Sequence, residues 1–266
     1  MFDKFNRQIS YLRVSVTDRC NLRCTYCMPF EGVQLLNHND ILTFEEITST
    51  VKAGVEMGIE KVRLTGGEPL VRKGIVDLVA MLSQIDGIKD LSLTTNGQLL
   101  EKFAQPLANA GLRRLNVSLD TMDPVIYRRM SRGGEIEPVL IGIEAAREAG
   151  LLPIKINCVI SRSAQDKDAV DVAAFCVEND LHIRYIHKMD LANGDFSVVE
   201  GGEGGDCSIC NRLRLTANGM IKPCLFNDLE YNVRELGPEE AFRLASGNKP
   251  ACGTNSMSGK FYNIGG

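Results

Sequence analysis

The chain has 266 residues, of which 44% are hydrophobic and 24% are charged, and it contains no Trp. This length suits one α/β barrel or two domains, and the composition excludes a disordered or low-complexity chain. A net charge of −4 and an isoelectric point near 5.5 give no general attraction for nucleic acid or anionic lipid, so neither is an expected partner.

Short strand-like runs alternate with amphipathic helical stretches over most of the chain. The runs begin at Tyr11, Lys61, Leu91, Arg113, Pro153 and His182. The stretches between them carry apolar residues at three- and four-residue spacing, which is typical of helices that cover a sheet. These units predict an α/β fold, a partial (βα)6 TIM-like barrel whose functional groups lie at the carboxyl ends of the strands. A doubly wound open sheet is the alternative architecture.

A different pattern follows the last of these units. A stretch rich in Gly, Asp and Glu indicates a linker, and after it two short strands flank an Asn218-Gly219 hairpin turn. A helix near residues 239–246 completes a unit too small for a hydrophobic core of its own, so a metal site would stabilise it. The expected division is 1–190 for the barrel, 191–206 for the linker and 207–266 for a small C-terminal domain that would hold this metal site.

The nine cysteines are the strongest chemical signal in the sequence. An odd number in a chain without a secretion signal fits a disulfide framework poorly, and metal ligation or redox chemistry explains it better. Two groups of three stand out, namely Cys20, Cys24 and Cys27, and Cys207, Cys210 and Cys224. We therefore expect two metal sites, one near each end of the chain.

The first group follows directly on the first predicted strand, which would put its three thiolates at the catalytic rim of the barrel. Three thiolates on one loop can hold a [4Fe–4S] cluster and leave one iron open to a further ligand. Structural zinc takes four Cys or His ligands, and His38 is the only near candidate for a fourth. Zinc, or inert buried cysteines, is the alternative.

The second group again supplies three thiolates, so a second open [4Fe–4S] cluster is the direct inference. A zinc ribbon is the alternative here, because Cys252 could serve as a fourth ligand. The remaining cysteines, Cys158 in a strand and Cys176 on a helix, are expected to be core residues.

Two arginines next to the second group indicate a bound anion. Arg212 and Arg214 are two residues apart and project from the same face of one strand. Guanidinium groups match phosphate oxygens with paired hydrogen bonds, so a phosphorylated substrate could be held there while another of its atoms reaches the open iron. Arg13, Lys61 and Arg63, on the first two strands, would extend this positive lining.

The first cysteine group resembles the CxxxCxxC loop of the radical S-adenosylmethionine (SAM) superfamily, with Tyr26 as the aromatic residue before the last cysteine. The segment Gly66-Gly67-Glu68-Pro69 is similar to the glycine-rich segment of that superfamily. The resemblance implies that the open iron chelates SAM, and that an electron from the cluster cleaves SAM to methionine and a 5′-deoxyadenosyl radical. It also implies a set of SAM contacts: Tyr26, Gly66, Gly67, Glu68, Thr94, Ser118, Lys155, Arg184 and Met189.

Longer segments resemble one family, the MoaA-like GTP 3′,8-cyclases of molybdenum cofactor biosynthesis, which are radical SAM lyases. They are YLRVSVTDRCNLRCTYCMP, VRLTGGEPLVRKG, CNRLRLTANG and the terminal Ile264-Gly265-Gly266. The resemblance implies that the radical abstracts the hydrogen at C3′ of GTP, and that C3′ then attacks C8 to give 3′,8-cyclo-7,8-dihydro-GTP. It implies that the second cluster binds guanine and that the triphosphate is bound by Arg13, Lys61, Arg63, Arg212 and Arg214. The catalytic elements would be Arg212, Arg214 and the Gly265-Gly266 tail.

The connection between barrel and second cysteine group is shorter than is usual in that family. Seventeen residues separate Met189 from Cys207, where the family usually has several dozen more. Two other functions therefore stand beside the cyclase. One is a radical SAM enzyme for a peptide or another nucleotide, favoured if Cys252 ligates the second cluster, and the other is a non-catalytic iron–sulfur or zinc protein.

The expected partners follow from this chemistry. GTP or another phosphorylated small molecule would be the substrate, and a reducing protein such as flavodoxin or ferredoxin would supply electrons; a homodimer stays open. The sequence contains no signal peptide and no stretch of bilayer length, so a cytoplasmic location without membrane contact is expected.

Overall fold

A nine-stranded sheet runs through residues 1–257, which are the residues that this computed structural model describes. The strands are β1 (Tyr11–Ser15), β2 (Lys61–Thr65), β3 (Asp90–Thr95), β4 (Arg114–Ser118), β5 (Ile154–Ile160), β6 (His182–His187), β7 (Arg212–Leu215), β8 (Met220–Lys222) and β9 (Tyr231–Asn232). Their order across the sheet is β6-β5-β4-β3-β2-β1-β7-β8-β9. Strands β1 to β7 pair in parallel, and β8 and β9 add antiparallel strands.

Helices connect the parallel strands, as the sequence predicts. They are α1 (Phe44–Glu56), α2 (Ile75–Ser83), α3 (Leu100–Asn109), α4 (Pro124–Ser131), α5 (Ile136–Glu148), α6 (Lys167–Glu178), α7 (Val233–Leu236) and α8 (Pro238–Gly247). All the predicted strands and crossover helices are observed, and the hairpin turn at Gly219 has the positive φ of 86° that such a turn requires. Helices α4 and α7 are short, and their residues show no periodicity long enough to predict them.

The strand order decides between the two architectures. Each of the strands β1 to β5 is hydrogen-bonded to the next strand of the chain, so the sheet grows in one direction up to β6. A doubly wound sheet would reverse direction at a switch point, and no reversal occurs among these strands. The partial barrel is therefore confirmed. Strand β7 pairs with β1 and carries the sheet onward into the hairpin, with Arg212 opposite Tyr11.

The two faces of the barrel strands differ in polarity. On β1, Leu12 and Val14 are fully buried under the helices, whereas Tyr11 and Arg13 line a cavity on the inner side. Side chains alternate between the two faces of a strand, so each strand contributes to the apolar layer and to the interior. The interior of this barrel is thus a polar chamber, and the hydrophobic core lies between sheet and helices.

The C-terminal hairpin and helices share that core. Phe242 of α8 is fully buried, and a Cβ added at Gly54 of α1 would lie 2.8 Å from its ring. At the surface, Arg234 pairs with Glu46 at 2.7 Å, and this bond lowers the pKa of Glu46 to about 2. The C-terminal helices are therefore packed on α1. The division into domains at residues 190 and 207 stays a prediction.

Among residues 1–257, none of the helices has the length and apolar character to cross a bilayer.

Candidate active site

The first cysteine group lies on the loop that leaves β1. The backbone N–H groups of Cys27 and Met28 both donate to the Cys24 carbonyl at 3.0 Å, which coils this part of the loop into a turn. Cys20, Cys24 and Cys27 all line one cavity at the carboxyl ends of the strands. The predicted catalytic rim and the predicted cysteine loop therefore coincide.

Neighbouring elements hold this loop in place. The N–H groups of Arg23 and Thr25 donate to carbonyls at the end of α4, at 3.1 and 2.9 Å. The Tyr26 hydroxyl donates to Asp120 Oδ2 at 2.7 Å, and the N–H of Val159 donates to the other oxygen of that carboxyl at 2.7 Å. Burial raises the pKa of Asp120 to about 6. Asp120 therefore links the loop to strands β4 and β5.

The glycine-rich segment lies directly against the same loop. The N–H of Gly67 donates to the Thr17 carbonyl at 2.7 Å, and the N–H of Glu68 donates to the Arg19 carbonyl at 2.8 Å. A Cβ at Gly67 would overlap the backbone of Arg19, so no other residue fits there without a shift of the chain. The backbone of the glycine-rich segment thus packs closely against the cysteine loop.

Glu68 presents a buried carboxylate at the cavity wall. It is 1% exposed, and it accepts hydrogen bonds from Leu70 N at 3.0 Å, Thr95 Oγ1 at 2.8 Å and Asn96 N at 2.7 Å. Burial nevertheless raises its pKa to about 7. A buried acid of this kind is best suited to a cationic group, because a positive charge would offset the cost of ionisation.

The residues predicted to contact SAM divide between two cavities. Tyr26, Gly66, Gly67, Glu68 and Ser118 line the first cavity, with the cysteine loop. Thr94 and Met189 line both cavities, while Lys155 and Arg184 line the second one. The structure thus brings seven of the nine to the cysteine loop. Lys155 and Arg184 lie among the cations of the neighbouring chamber.

The second cavity is strongly cationic. Its lining includes all five predicted phosphate ligands, Arg13, Lys61, Arg63, Arg212 and Arg214. Two further cations that were assigned to no site from the sequence, Arg114 and Lys249, also line it, beside the Lys155 and Arg184 just described. The alternation of side chains along β4 could have identified Arg114, because it lies on the strand face that lines the interior. Nothing in the sequence marks Lys249.

Two arginines of this cavity are buried close to other cations. Arg63 is 6% exposed and Arg214 is 8% exposed. Burial, together with other arginines nearby, lowers the pKa of Arg63 to about 10 and that of Arg214 to about 9. The Tyr11 hydroxyl and Arg13 Nε are buried here without a hydrogen-bond partner among the described residues. Such a cluster is costly to hold without a polyanion, so the cavity is built to receive one.

The two cavities share a wall. Thr94, Asn157, Ile186 and Met189 line both of them. A molecule whose anionic end is bound among the arginines could therefore extend to the chamber of the first cysteine loop. This geometry puts an anion site and a candidate redox site within the span of one substrate.

The second cysteine group lies at the far side of the cationic cavity, where Cys207, Cys210 and Cys224 all line it. Lys249 is 2% exposed, and its ammonium donates to the carbonyls of Arg212 at 2.8 Å and Pro223 at 2.6 Å. These bonds fix the chain just after Cys210 and just before Cys224.

The donor set of each group consists of thiols, which suits iron–sulfur clusters better than hard cations. Within residues 1–257, no three His, Cys, Asp or Glu side chains converge as a single-ion site would require. Thiolates of a cubane bind separate irons and need not converge in this way. The three thiols of the first loop, on one side of an open cavity, fit an open cluster. Gly265 and Gly266, the predicted tail, lie outside the described residues.

Comparison with known proteins agrees with this site. Residues 14–176 match the family model described as the radical SAM superfamily. The GTP 3′,8-cyclase of Petrotoga mobilis is 41% identical over 280 aligned positions, which cover 88% of this chain and 87% of that protein. In structure, Streptococcus suis SuiB bound to S-adenosylmethionine has a TM-score of 0.67 at 16% identity, over 91% of this chain and 64% of that one. At this identity the likeness to SuiB shows the fold alone.

A second relative bears on the short connection. The GTP 3′,8-cyclase of Geobacter sulfurreducens is 38% identical over 324 aligned positions, covering 100% of this chain and 99% of that protein. Since this chain has 266 residues, about 58 of the 324 positions face a gap in it. The chain is thus a shortened relative that retains both ends of the longer protein.

Proposed function

Because the chain belongs to the radical SAM superfamily and, within it, to the GTP 3′,8-cyclase family, we propose that it converts GTP to 3′,8-cyclo-7,8-dihydro-GTP for molybdenum cofactor biosynthesis. The reaction begins with abstraction of the hydrogen at C3′. The observation that carries the proposal is the wall shared by the thiol-lined and cation-lined cavities. It supports a substrate whose ribose lies between a triphosphate site and a radical source.

The first cavity is proposed as the SAM site. A [4Fe–4S] cluster held by Cys20, Cys24 and Cys27 would supply the electron that cleaves SAM into methionine and a 5′-deoxyadenosyl radical. Glu68 would accept hydrogen bonds from the SAM ammonium, for which a buried carboxylate is suited. Thr94, at the shared wall, is proposed to help orient the nucleoside part toward the second cavity.

The second cavity is proposed as the GTP site. Arg63 and Arg214 would hold the triphosphate with paired hydrogen bonds, and Lys61, Arg13 and Arg212 would complete the cationic lining. A triphosphate would offset the repulsion among these buried guanidinium groups. Cys207, Cys210 and Cys224 are proposed to hold a second cluster that faces the guanine, which would fix the base and leave C3′ toward the SAM site.

Isotope transfer tests the proposal directly. The reconstituted protein is incubated without oxygen with SAM, dithionite and GTP deuterated at C3′, and 5′-deoxyadenosine is analysed by mass spectrometry. We expect deuterium in 5′-deoxyadenosine together with a cyclised nucleotide. The Arg63→Met variant should still cleave SAM but transfer little deuterium, because the substrate is no longer held. SAM cleavage by the native chain without any transfer would contradict GTP as the substrate.

One observation favours the second candidate function, a radical SAM enzyme for a peptide or another nucleotide. Cys252 lies next to Cys207, with 2.7 Å between their Sγ atoms. If Cys252 closed the second cluster, guanine could not bind iron there. Under that function the protein would cleave SAM in the presence of GTP but give no cyclised nucleotide, and the same incubation separates the two.

A further inference from the structure

A fourth thiol lies beside the second cysteine group. Cys252 Sγ is 2.7 Å from Cys207 Sγ, although 45 residues separate the two in the chain. We propose that Cys207 and Cys252 form a reversible disulfide in the metal-free protein, and that this disulfide withholds Cys207 from the second metal site until it is reduced. Cys252 is exposed and Cys207 is half-buried, so a soluble thiol reagent can reach the pair.

A buried arginine from the N-terminal segment brings the two cysteines together. Arg7 Nη1 donates to the carbonyl of Cys207 at 2.5 Å and to that of Ala251 at 2.8 Å, and Arg7 Nη2 donates to the Pro250 carbonyl at 2.6 Å. Arg7 is itself fixed by Asp3 at 2.6 Å, in a pair whose side chains are at most 8% exposed. One guanidinium therefore binds the chain at Cys207 and the chain just before Cys252.

Two further contacts tie the Cys252 segment to the same group. Lys249 bonds the carbonyls of Arg212 and Pro223, which fixes the segment on its N-terminal side. On the other side, a Cβ at Gly253 would lie 3.0 Å from Cys224 Sγ, so only a glycine passes this sulfur at the observed distance. The approach of Cys252 to Cys207 is thus set by several independent contacts.

The two thiols are neighbours in the folded chain. Both are free, and their Sγ atoms lie 2.7 Å apart. A disulfide forms without movement of the backbone only between cysteines that already lie close together. This proximity favours Cys252 as the disulfide partner of Cys207.

The chemistry balances with a small disulfide, such as oxidised glutathione, as the oxidant. The Cys252 thiolate attacks one sulfur of that disulfide and releases one thiolate, which takes up the proton lost from Cys252. The Cys207 thiolate then attacks Cys252 Sγ in the mixed disulfide and releases the second thiolate, which takes up the Cys207 proton. Two protein thiols are oxidised to one disulfide, and the small disulfide is reduced to two thiols.

The first experiment locates the bond in the full-length, iron-free protein. After treatment with oxidised glutathione, peptide mapping should reveal a Cys207–Cys252 link that dithiothreitol reverses. No Lys or Arg lies between Cys207 and Cys210, so trypsin leaves both in one peptide, and the Cys210→Ser variant should retain the link. Cys252→Ser should instead accumulate a glutathione adduct. A native protein that accumulates the adduct, or links other cysteines, would overturn the inference.

The second experiment tests the consequence for metal binding, which rests on the proposed second cluster. In the full chain carrying Cys20→Ser, Cys24→Ser and Cys27→Ser, bound iron reports on the second group alone. We expect about four iron atoms per chain after reduction and almost none while the disulfide is present. Equal iron uptake in both states would overturn the gating role. If the reduced protein took up no iron, the proposed second cluster would be contradicted. The peptide map would still show whether the Cys207–Cys252 disulfide forms.

Discussion

The Tyr26 hydroxyl donates a 2.7 Å hydrogen bond to Asp120 and so ties the first cysteine loop to the end of β4. The same carboxyl accepts the N–H of Val159, so a single side chain sets the distance between the loop and two barrel strands. The barrel whose strands line the cationic cavity therefore also holds the loop that carries the thiols.

Tyr26→Phe should loosen this loop. The variant loses one hydrogen bond to a carboxylate, which we expect to lower the free energy of unfolding by about 1.5–3 kcal/mol. Iron at the first group should then be lost to a chelator several times faster. Tyr231→Phe, which removes a hydroxyl from β9 at the far edge of the sheet, is the matched control. Equal rates of iron loss in the two variants would contradict the assigned role of Tyr26.

Gly67→Ala should disrupt the contact between the glycine-rich segment and the cysteine loop, because the added Cβ would overlap the Arg19 backbone. We expect a loss of about 2 kcal/mol or more in unfolding free energy, measured in urea. Gly247→Ala is the control, since nothing lies within 4 Å of a Cβ there. That change, at the end of α8, should leave stability unchanged or raise it slightly.

Glu68 should make stability depend on pH. Burial raises its pKa from 4.5 to about 7 in the folded protein, so the folded state binds its proton more tightly than the unfolded state. This contribution is fully present below the unfolded pKa of 4.5 and is lost as pH rises through about 7. Its size is on the order of 3 kcal/mol.

The measurement for Glu68 is urea unfolding without SAM, at several pH values across this window. In the native protein, the free energy of unfolding should fall as pH rises between these values. Glu68→Gln should remove most of that fall. If SAM binds through its ammonium as proposed, its affinity for the native chain should rise with pH over the same range, and the variant should bind weakly throughout. An identical pH dependence in both proteins would show that other groups are responsible.

Arg63→Met should weaken polyphosphate binding without destabilising the fold. Loss of a charge-assisted hydrogen-bonding group costs about 1.5–3 kcal/mol, or roughly a tenfold to hundredfold loss of affinity for inorganic triphosphate by calorimetry. Thermal stability without ligand should be unchanged or higher, because one buried cation is removed from a crowded cluster. Arg243→Met, which alters an exposed surface pair with Glu240, is the control and should bind triphosphate normally.

Arg7→Met should be strongly destabilising. Asp3 would lose its buried partner, and three carbonyls would lose a donor. We expect a loss of about 3 kcal/mol in unfolding free energy. The double variant with Asp3→Asn should recover part of it, because no unpaired charge stays buried. The exposed Arg129 of α4 offers a control, Arg129→Met, for which little change is expected.

Local patterns in the sequence were enough to predict the strands, most helices and the first cysteine loop. Periodicity predicts these features because apolar residues must recur at every second position on a strand, or at three- and four-residue spacing on a helix, to face a core. Likewise, Cys20, Cys24 and Cys27 are close in sequence, so any conformation of the loop keeps them near one another. Helix α4 was missed because only eight residues form it, too few to establish a period.

The order of residues already specifies the groups and their chemistry: thiols in two sets, arginines at inward strand positions, and a glycine in the segment after β2. Which of these groups share a chamber depends on how the strands pair. Arg63 and Arg214 line one cavity because β2 and β7 both pair with β1. Cys252 reaches Cys207 because Arg7 binds the carbonyls of Cys207 and Ala251. These contacts join residues distant in the chain, and their energies depend on burial and long-range pairing, which no local pattern of residues encodes.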